Sequence, residues 1–117
     1  MKTGKIGEHY AIIELLKKNY NVYRPVIDEN NIDYVIEKER KIHTIQIRTS
    51  ISFNKKGFMF RVHRDKLPLQ YDYLLCVCLD RTYNIVSFYM IPAKDIEATT
   101  INILPDSQKS KWCKYKW

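Results

Sequence analysis

Ile32-Asp33-Tyr34-Val35-Ile36-Glu37-Lys38-Glu39-Arg40-Lys41-Ile42-His43-Thr44-Ile45-Gln46-Ile47-Arg48-Thr49-Ser50 reads as two strands joined by a tight turn. β-Branched and aromatic residues recur on both sides of a charged centre, Lys38-Glu39-Arg40-Lys41. A hairpin turning about Glu39-Arg40 sets Asp33 opposite Gln46. Facing residues of an antiparallel pair share one side of the sheet, with Cα atoms about 4.5–5.5 Å apart. Arg48 lies two residues beyond Gln46 and emerges on the same side. A carboxylate, an amide oxygen and a fixed cation therefore converge, a combination suited to holding a divalent metal beside a phosphate. Ile45, Ile47 and Thr49, with Tyr34 and Ile36 across the hairpin, form the better candidate for core. The Asp33 face is expected to line a cleft.

Upstream, about Gly4 to Asn19 reads as a helix. Ala11, Ile12, Leu15 and Leu16 make its apolar stripe, and Lys17-Lys18 suit its last turn. Glu8 is in register with Ile12 and Leu15, so it lies on or beside that stripe. It serves either the site or simply the helix dipole. Tyr20 to Pro25 reads as a short strand ended by proline, and Asp28 to Asn31 as a turn. Downstream, Phe58 to Val62 is predicted as a strand after the basic turn Asn54-Lys55-Lys56-Gly57. His63 to Gln70 is ambiguous because Pro68 interrupts it. Tyr71 to Leu79 and Tyr83 to Ile91 form a second hairpin around Asp80-Arg81, and Pro92 to Ile96 starts a short helix. The tail from about Pro105 to Trp117 mixes four lysines with Trp112, Tyr115 and Trp117. It either reaches out to nucleic acid, stacking its aromatics on bases, or packs onto the domain.

A chain of 117 residues is large enough for one domain with its own core, and no repeat or linker divides it. Its net charge of +7 favours a polyanionic partner. No apolar run spans a bilayer, and the first residues carry no apolar signal core, so the expected location is intracellular, in the cytoplasm. Of the three cysteines, Cys76 and Cys78 read as small buried residues of one strand face. They lack the second ligand pair of a zinc site.

The order Gly4-x-x-Gly7-Glu8 at a helix start, then Ile32-Asp33, then Ile45-Gln46-Ile47-Arg48-Thr49-Ser50 resembles the PD-(D/E)xK nuclease superfamily. It looks most like the group related to group I intron homing endonucleases and, more distantly, like archaeal Holliday-junction resolvases. The resemblance implies an α/β fold with a restriction-endonuclease-like core, a mixed sheet flanked by helices. It implies Mg²⁺ or Mn²⁺ as cofactor, hydrolysis of DNA phosphodiesters, and a homodimer or larger assembly, because cutting both strands takes two sites. On this pattern Asp33 matches the metal-binding acid, Gln46 the second acid, and Glu8 the helix glutamate that often joins the site. Arg48 takes the place of the lysine. Asp33, Gln46, the Ile47 carbonyl and Glu8, the last through a water, would hold the metal.

The residues support that chemistry. Mg²⁺ takes hard oxygen donors and keeps several waters, so one or two carboxylates suffice. Asp33, Gln46 and Arg48 together carry no net charge, and Glu8 makes the set negative, so metal binding is expected to be weak until DNA adds phosphate oxygens. Arg48 cannot act as a base, since guanidinium stays protonated, but it can clamp a phosphate oxygen by two hydrogen bonds. Lys55, Lys56, Arg61, Arg64 and Lys66 follow the motif and are candidate phosphate contacts. The alternatives are a structure-selective Holliday-junction resolvase and a non-catalytic nucleic-acid-binding module with a degenerate site.

Overall fold

The structure, a computed structural model, describes residues 2–26, 32–52, 57–62, 70–104 and 110–117. The turn expected at Asp28 to Asn31, most of His63 to Gln70, and Lys55, Lys56, Arg64 and Lys66 lie outside the described residues.

The predicted N-terminal helix is α1 (Thr3–Lys17). It buries Gly7, Ala11 and Leu15, spaced four apart along one line. The expected stripe was wider: Leu16 is exposed and Ile12 only half-buried, because α1 rests on the sheet along the narrow line of Gly7, Ala11 and Leu15. Among the described residues seven strands follow: β1 (Asn21–Tyr23), β2 (Tyr34–Lys38), β3 (Lys41–Ile51), β4 (Phe58–Arg61), β5 (Tyr73–Leu79), β6 (Ile85–Pro92) and β7 (Thr100–Ile103). The main sheet has the order β1-β2-β3-β5-β6. β3 and β5 run parallel, and the other neighbours in that sheet are antiparallel. β4 and β7 form a separate antiparallel ribbon.

The β2–β3 register is the one the sequence predicts: Lys38 pairs with Lys41 and Tyr34 with Ile45. Glu39 and Arg40 both adopt positive φ, 54° and 68°, as a two-residue hairpin turn requires. β3 is the long central strand. Its first half pairs with β2, while Ile45 to Ile51 pair with Tyr73 to Leu79 of β5.

Two hydrophobic clusters lie on opposite faces of this sheet. On one, Ala11 and Leu15 of α1 meet Tyr34, Ile36, Ile45, Leu75, Val77 and Phe88. On the other, Phe58, Phe60, Ile101 and Ile103 of the β4–β7 ribbon cover Leu74, Cys76, Cys78, Tyr89 and Ile91. The expectation of one core face and one open cleft face is therefore corrected. Gln46 is only 5% exposed, because β3 is central and the ribbon roofs the face that the hairpin pattern alone leaves open. Cys76 and Cys78 are buried free thiols, and burial pushes both up in pKa, Cys78 to about 12.

Two further readings are refined. The second hairpin turns through Asp80 to Asn84 rather than about Asp80-Arg81. Oδ1 of Asp80 accepts from the Thr82 and Asn84 N–H groups at 2.8 and 3.0 Å, and Tyr83 takes positive φ. The short helix after Pro92 is a single 3₁₀ turn, Ala93–Asp95. In the tail, residues 110–117 pack rather than reach out. Trp112 is buried, Trp117 N–H donates to the Phe88 carbonyl at 2.9 Å, and Lys116 bridges to Tyr89. The ammonium of Lys18 sits 3.8 Å from the Trp117 ring centre. These contacts cover the outer edge of β6, which would otherwise offer unpaired backbone groups. Among the described residues no helix is long and apolar enough to cross a membrane.

Candidate active site

Asp33 sits just before β2, beside the point where β3 runs past its partner. Its N–H donates to the Ile45 carbonyl at 2.9 Å, and its Oδ2 accepts the Ile47 N–H at 2.8 Å. In an extended strand the N–H and C=O of one residue point to the same edge. The Ile47 carbonyl therefore shares the edge of β3 that Asp33 occupies. The backbone of β3 thus holds the Asp33 carboxylate in place and sets a second oxygen near it.

Glu8 approaches from α1. Gly7 makes this possible: a Cβ there would lie 1.8 Å from Thr49 Oγ1, so only glycine lets the helix lie this close to β3. Gly4 meets nothing within 4 Å and has no such role. Oε1 of Glu8 accepts the Tyr34 hydroxyl and lies 3.7 Å from the Arg24 guanidinium, while Oε2 lies 3.6 Å from Lys5 Nζ. Arg24 in turn donates to Tyr34 Oη at 2.9 Å. Burial pushes Tyr34 up in pKa, helped by the bond to Glu8, and the hydrogen bond to Tyr34 raises Arg24. Glu8 and Asp33 line one pocket of ≈ 290 Å³ with Lys5, Arg24, Pro25, Val26, Ile32 and Tyr34. The two carboxylates thus meet around the end of β2, although Tyr34 and Asp33 face opposite sides of the sheet.

Gln46 and Arg48 project from β3 toward the ribbon side, since their partners Leu74 and Cys76 belong to that cluster. They do not line the pocket. Gln46 Oε1 and Arg48 Nε are buried and have no hydrogen-bond partner among the described residues. Tyr71, 4% exposed and just ahead of β5, packs in the same cluster, and its hydroxyl also lacks a partner. Burial pushes Tyr71 up to about 12, with Arg48 pulling down and Asp33 pushing up, so its ring lies in the field of both. Buried polar atoms usually have a partner, and Thr49 Oγ1 and Ser87 Oγ also have none among the described residues. Tyr71, Tyr34, Arg24 and Lys5 escaped the sequence reading. Tyr71 and Tyr34 read as strand aromatics, Arg24 as part of the short strand before Pro25, and Lys5 as part of the helix start. The spacing of Lys5 one turn before Glu8 was the only available signal.

A hard divalent ion fits the oxygen donors that α1 and the hairpin supply. They are two carboxylates, one unpartnered buried amide oxygen and a strand-edge carbonyl, all oxygen. Among the described residues no three of His, Cys, Asp and Glu gather. Of the basic residues expected at phosphates, Arg61 is described. It is exposed on β4, paired with Thr100 of β7.

Sheet order, the Asp33–β3 junction and the helix glutamate together define a nuclease-type core. A family profile described as PD-(D/E)XK endonuclease matches residues 1–111, and the chain belongs to that family. The fold is similar to that of a bacterial homing endonuclease, I-Ssp6803I, with a TM-score of 0.76, 18% identity, and 97% of this chain and 83% of that chain covered. It is also similar to Hjc, a Holliday junction resolvase from Archaeoglobus fulgidus, with a TM-score of 0.57, 14% identity, and 85% and 83% covered. No curated protein matches the sequence.

Proposed function

We propose that the chain is a metal-dependent endonuclease acting on DNA, with residues 1–117 as one domain and the working form a homodimer or larger homo-oligomer. The observation that carries this reading is the Asp33 carboxylate, fixed by the Ile47 N–H and lining one pocket with Glu8, in a chain of this family. Asp33, Gln46, the Ile47 carbonyl and Glu8 would hold Mg²⁺ or Mn²⁺. When bound, the ion supplies an activated water and neutralises charge on the phosphate and the leaving oxygen.

The chain's own residues do the rest. Asp33 and Glu8 orient water at the pocket. Arg48 stays protonated, so its part is electrostatic: it stabilises charge that grows on the phosphate oxygens and removes no proton. Tyr71, pushed up to about 12, stays neutral at physiological pH, so it acts through hydrogen bonds and not as a base. The acceptor is then a phosphate or water oxygen rather than a protein group, as its missing partner suggests. Arg61, Lys55, Lys56, Arg64 and Lys66 contribute backbone phosphate contacts.

The test is incubation of purified protein with plasmid and with four-way-branched DNA, in Mg²⁺, Mn²⁺ or EDTA. Metal-dependent cleavage of linear or plasmid DNA is expected. Cleavage confined to branched DNA would instead assign a structure-selective resolvase, the reading favoured by the likeness to Hjc. Salt-sensitive binding without cleavage in any metal would leave a non-catalytic binding module.

A further inference from the structure

The two oxygens of Glu8 are both engaged. One faces Arg24 and the Tyr34 hydroxyl, and the other faces Lys5. A glutamate held in this way is not available to a metal ion. The cations holding it are 71% and 61% exposed, whereas Glu8 is 24% exposed. Exposed ion pairs of this kind are weak and exchange readily. Both cations line the pocket that contains Asp33, and its ≈ 290 Å³ leaves room for a phosphodiester. Lys5 and Arg24 balance Glu8 and Asp33 in the pocket lining, so without metal the pocket carries no net negative charge. A charge-balanced pocket draws in a divalent ion only weakly, while its two exposed cations can attract a polyanion.

Resting on the nuclease reading above, we propose that Lys5 and Arg24 form a DNA-phosphate site which, in the free protein, is occupied by Glu8. Backbone phosphate takes the place of the carboxylate, and Glu8 is released to the metal site only when DNA is present. Tyr34 keeps Glu8 close during the exchange. It donates to Glu8 and accepts from Arg24, so Glu8 retains one partner after Arg24 turns away. Metal and DNA binding are then positively coupled, since each removes an obstacle to the other.

The test is Mn²⁺ binding followed by electron paramagnetic resonance, with and without a saturating short DNA duplex. Asp33→Asn serves as the background for Mn²⁺ bound by DNA itself. The wild type is expected to bind Mn²⁺ more tightly with duplex than without. The double variant Lys5→Gln/Arg24→Gln should bind Mn²⁺ about two- to fivefold more tightly than wild type in the absence of DNA, the scale of released exposed ion pairs. It should lose most of the gain that duplex brings. Its DNA affinity should also depend less steeply on salt, by up to about two phosphate contacts. Both side chains are exposed, so the variant keeps the fold. Asp33-dependent Mn²⁺ binding that is identical in wild type and double variant overturns this inference alone. Absence of any Asp33-dependent Mn²⁺ binding, with or without duplex, overturns the nuclease reading and this inference with it.

Discussion

At the scale of single residues, Asp33 is the anchor of the candidate site. Asn keeps its shape and can still accept the Ile47 N–H, so Asp33→Asn should fold normally. It should abolish metal-dependent cleavage and leave metal-free DNA affinity equal or slightly higher, because a negative charge facing the phosphates is gone. Purified Asp33→Asn cleaving at the wild-type rate would move the site elsewhere. Arg48→Ala should cost cleavage about 10²–10³-fold, the scale of a lost transition-state donor, whereas Arg48→Lys should retain activity. Equal rates for both variants would remove Arg48 from the chemistry. Tyr71 makes a separate prediction. Its buried hydroxyl has no partner among the described residues, so Tyr71→Phe should leave stability within about 0.5 kcal/mol of wild type or raise it. A loss of more than about 1 kcal/mol in urea unfolding would mean that the hydroxyl is bonded inside the free protein.

At the scale of elements, the contact of α1 with β3 decides where Glu8 sits. Gly7→Ala brings a methyl to within 1.8 Å of Thr49 Oγ1 and 2.7 Å of Thr49 Cβ, and rotation of the threonine relieves only the first. The helix must lift, which should cost about 1–3 kcal/mol, as overpacking does. Chemical unfolding measures that loss, and cleavage should fall in parallel because Glu8 moves with the helix. Gly4→Ala meets open space and should be neutral or slightly stabilising, since alanine is the better helix former. A pair of variants with equal stability would refute the close approach. The hairpin was legible in the sequence because its chemistry is local: a charged two-residue turn and alternating apolar residues fix the register from Tyr34 to Ile45. The burial of its second face was not legible, because the ribbon that covers it comes from strands separated from the hairpin in sequence.

At the scale of the whole molecule, the charge of +7 and the exposed Arg61 favour binding to a polyanion. DNA affinity should fall by roughly tenfold or more between 50 and 200 mM salt, since each neutralised phosphate releases counterions. A flat dependence would count against a phosphate-binding surface. The packed tail removes one surface from consideration, because residues 110–117 cover β6 and leave Trp112 and Trp117 to the fold rather than to bases.

The sequence by itself determined the helix, the hairpin register, the buried cysteines and the motif Asp33, Gln46-Ile47-Arg48 with Gly7-Glu8. Each of these rests on local spacing: period 3.6 for α1, period 2 for the strands, and a turn centred on Glu39-Arg40. The tertiary structure alone decided that Glu8 is held by Lys5, Arg24 and Tyr34, that Gln46, Arg48 and Tyr71 share a covered face, and that the tail closes an edge. The physical reason is one of distance along the chain. Apart from the Lys5–Glu8 pair within α1, these contacts join residues far apart in sequence across a sheet whose central strand has neighbours on both edges and cover on both faces. No local pattern records which remote residue fills a given space.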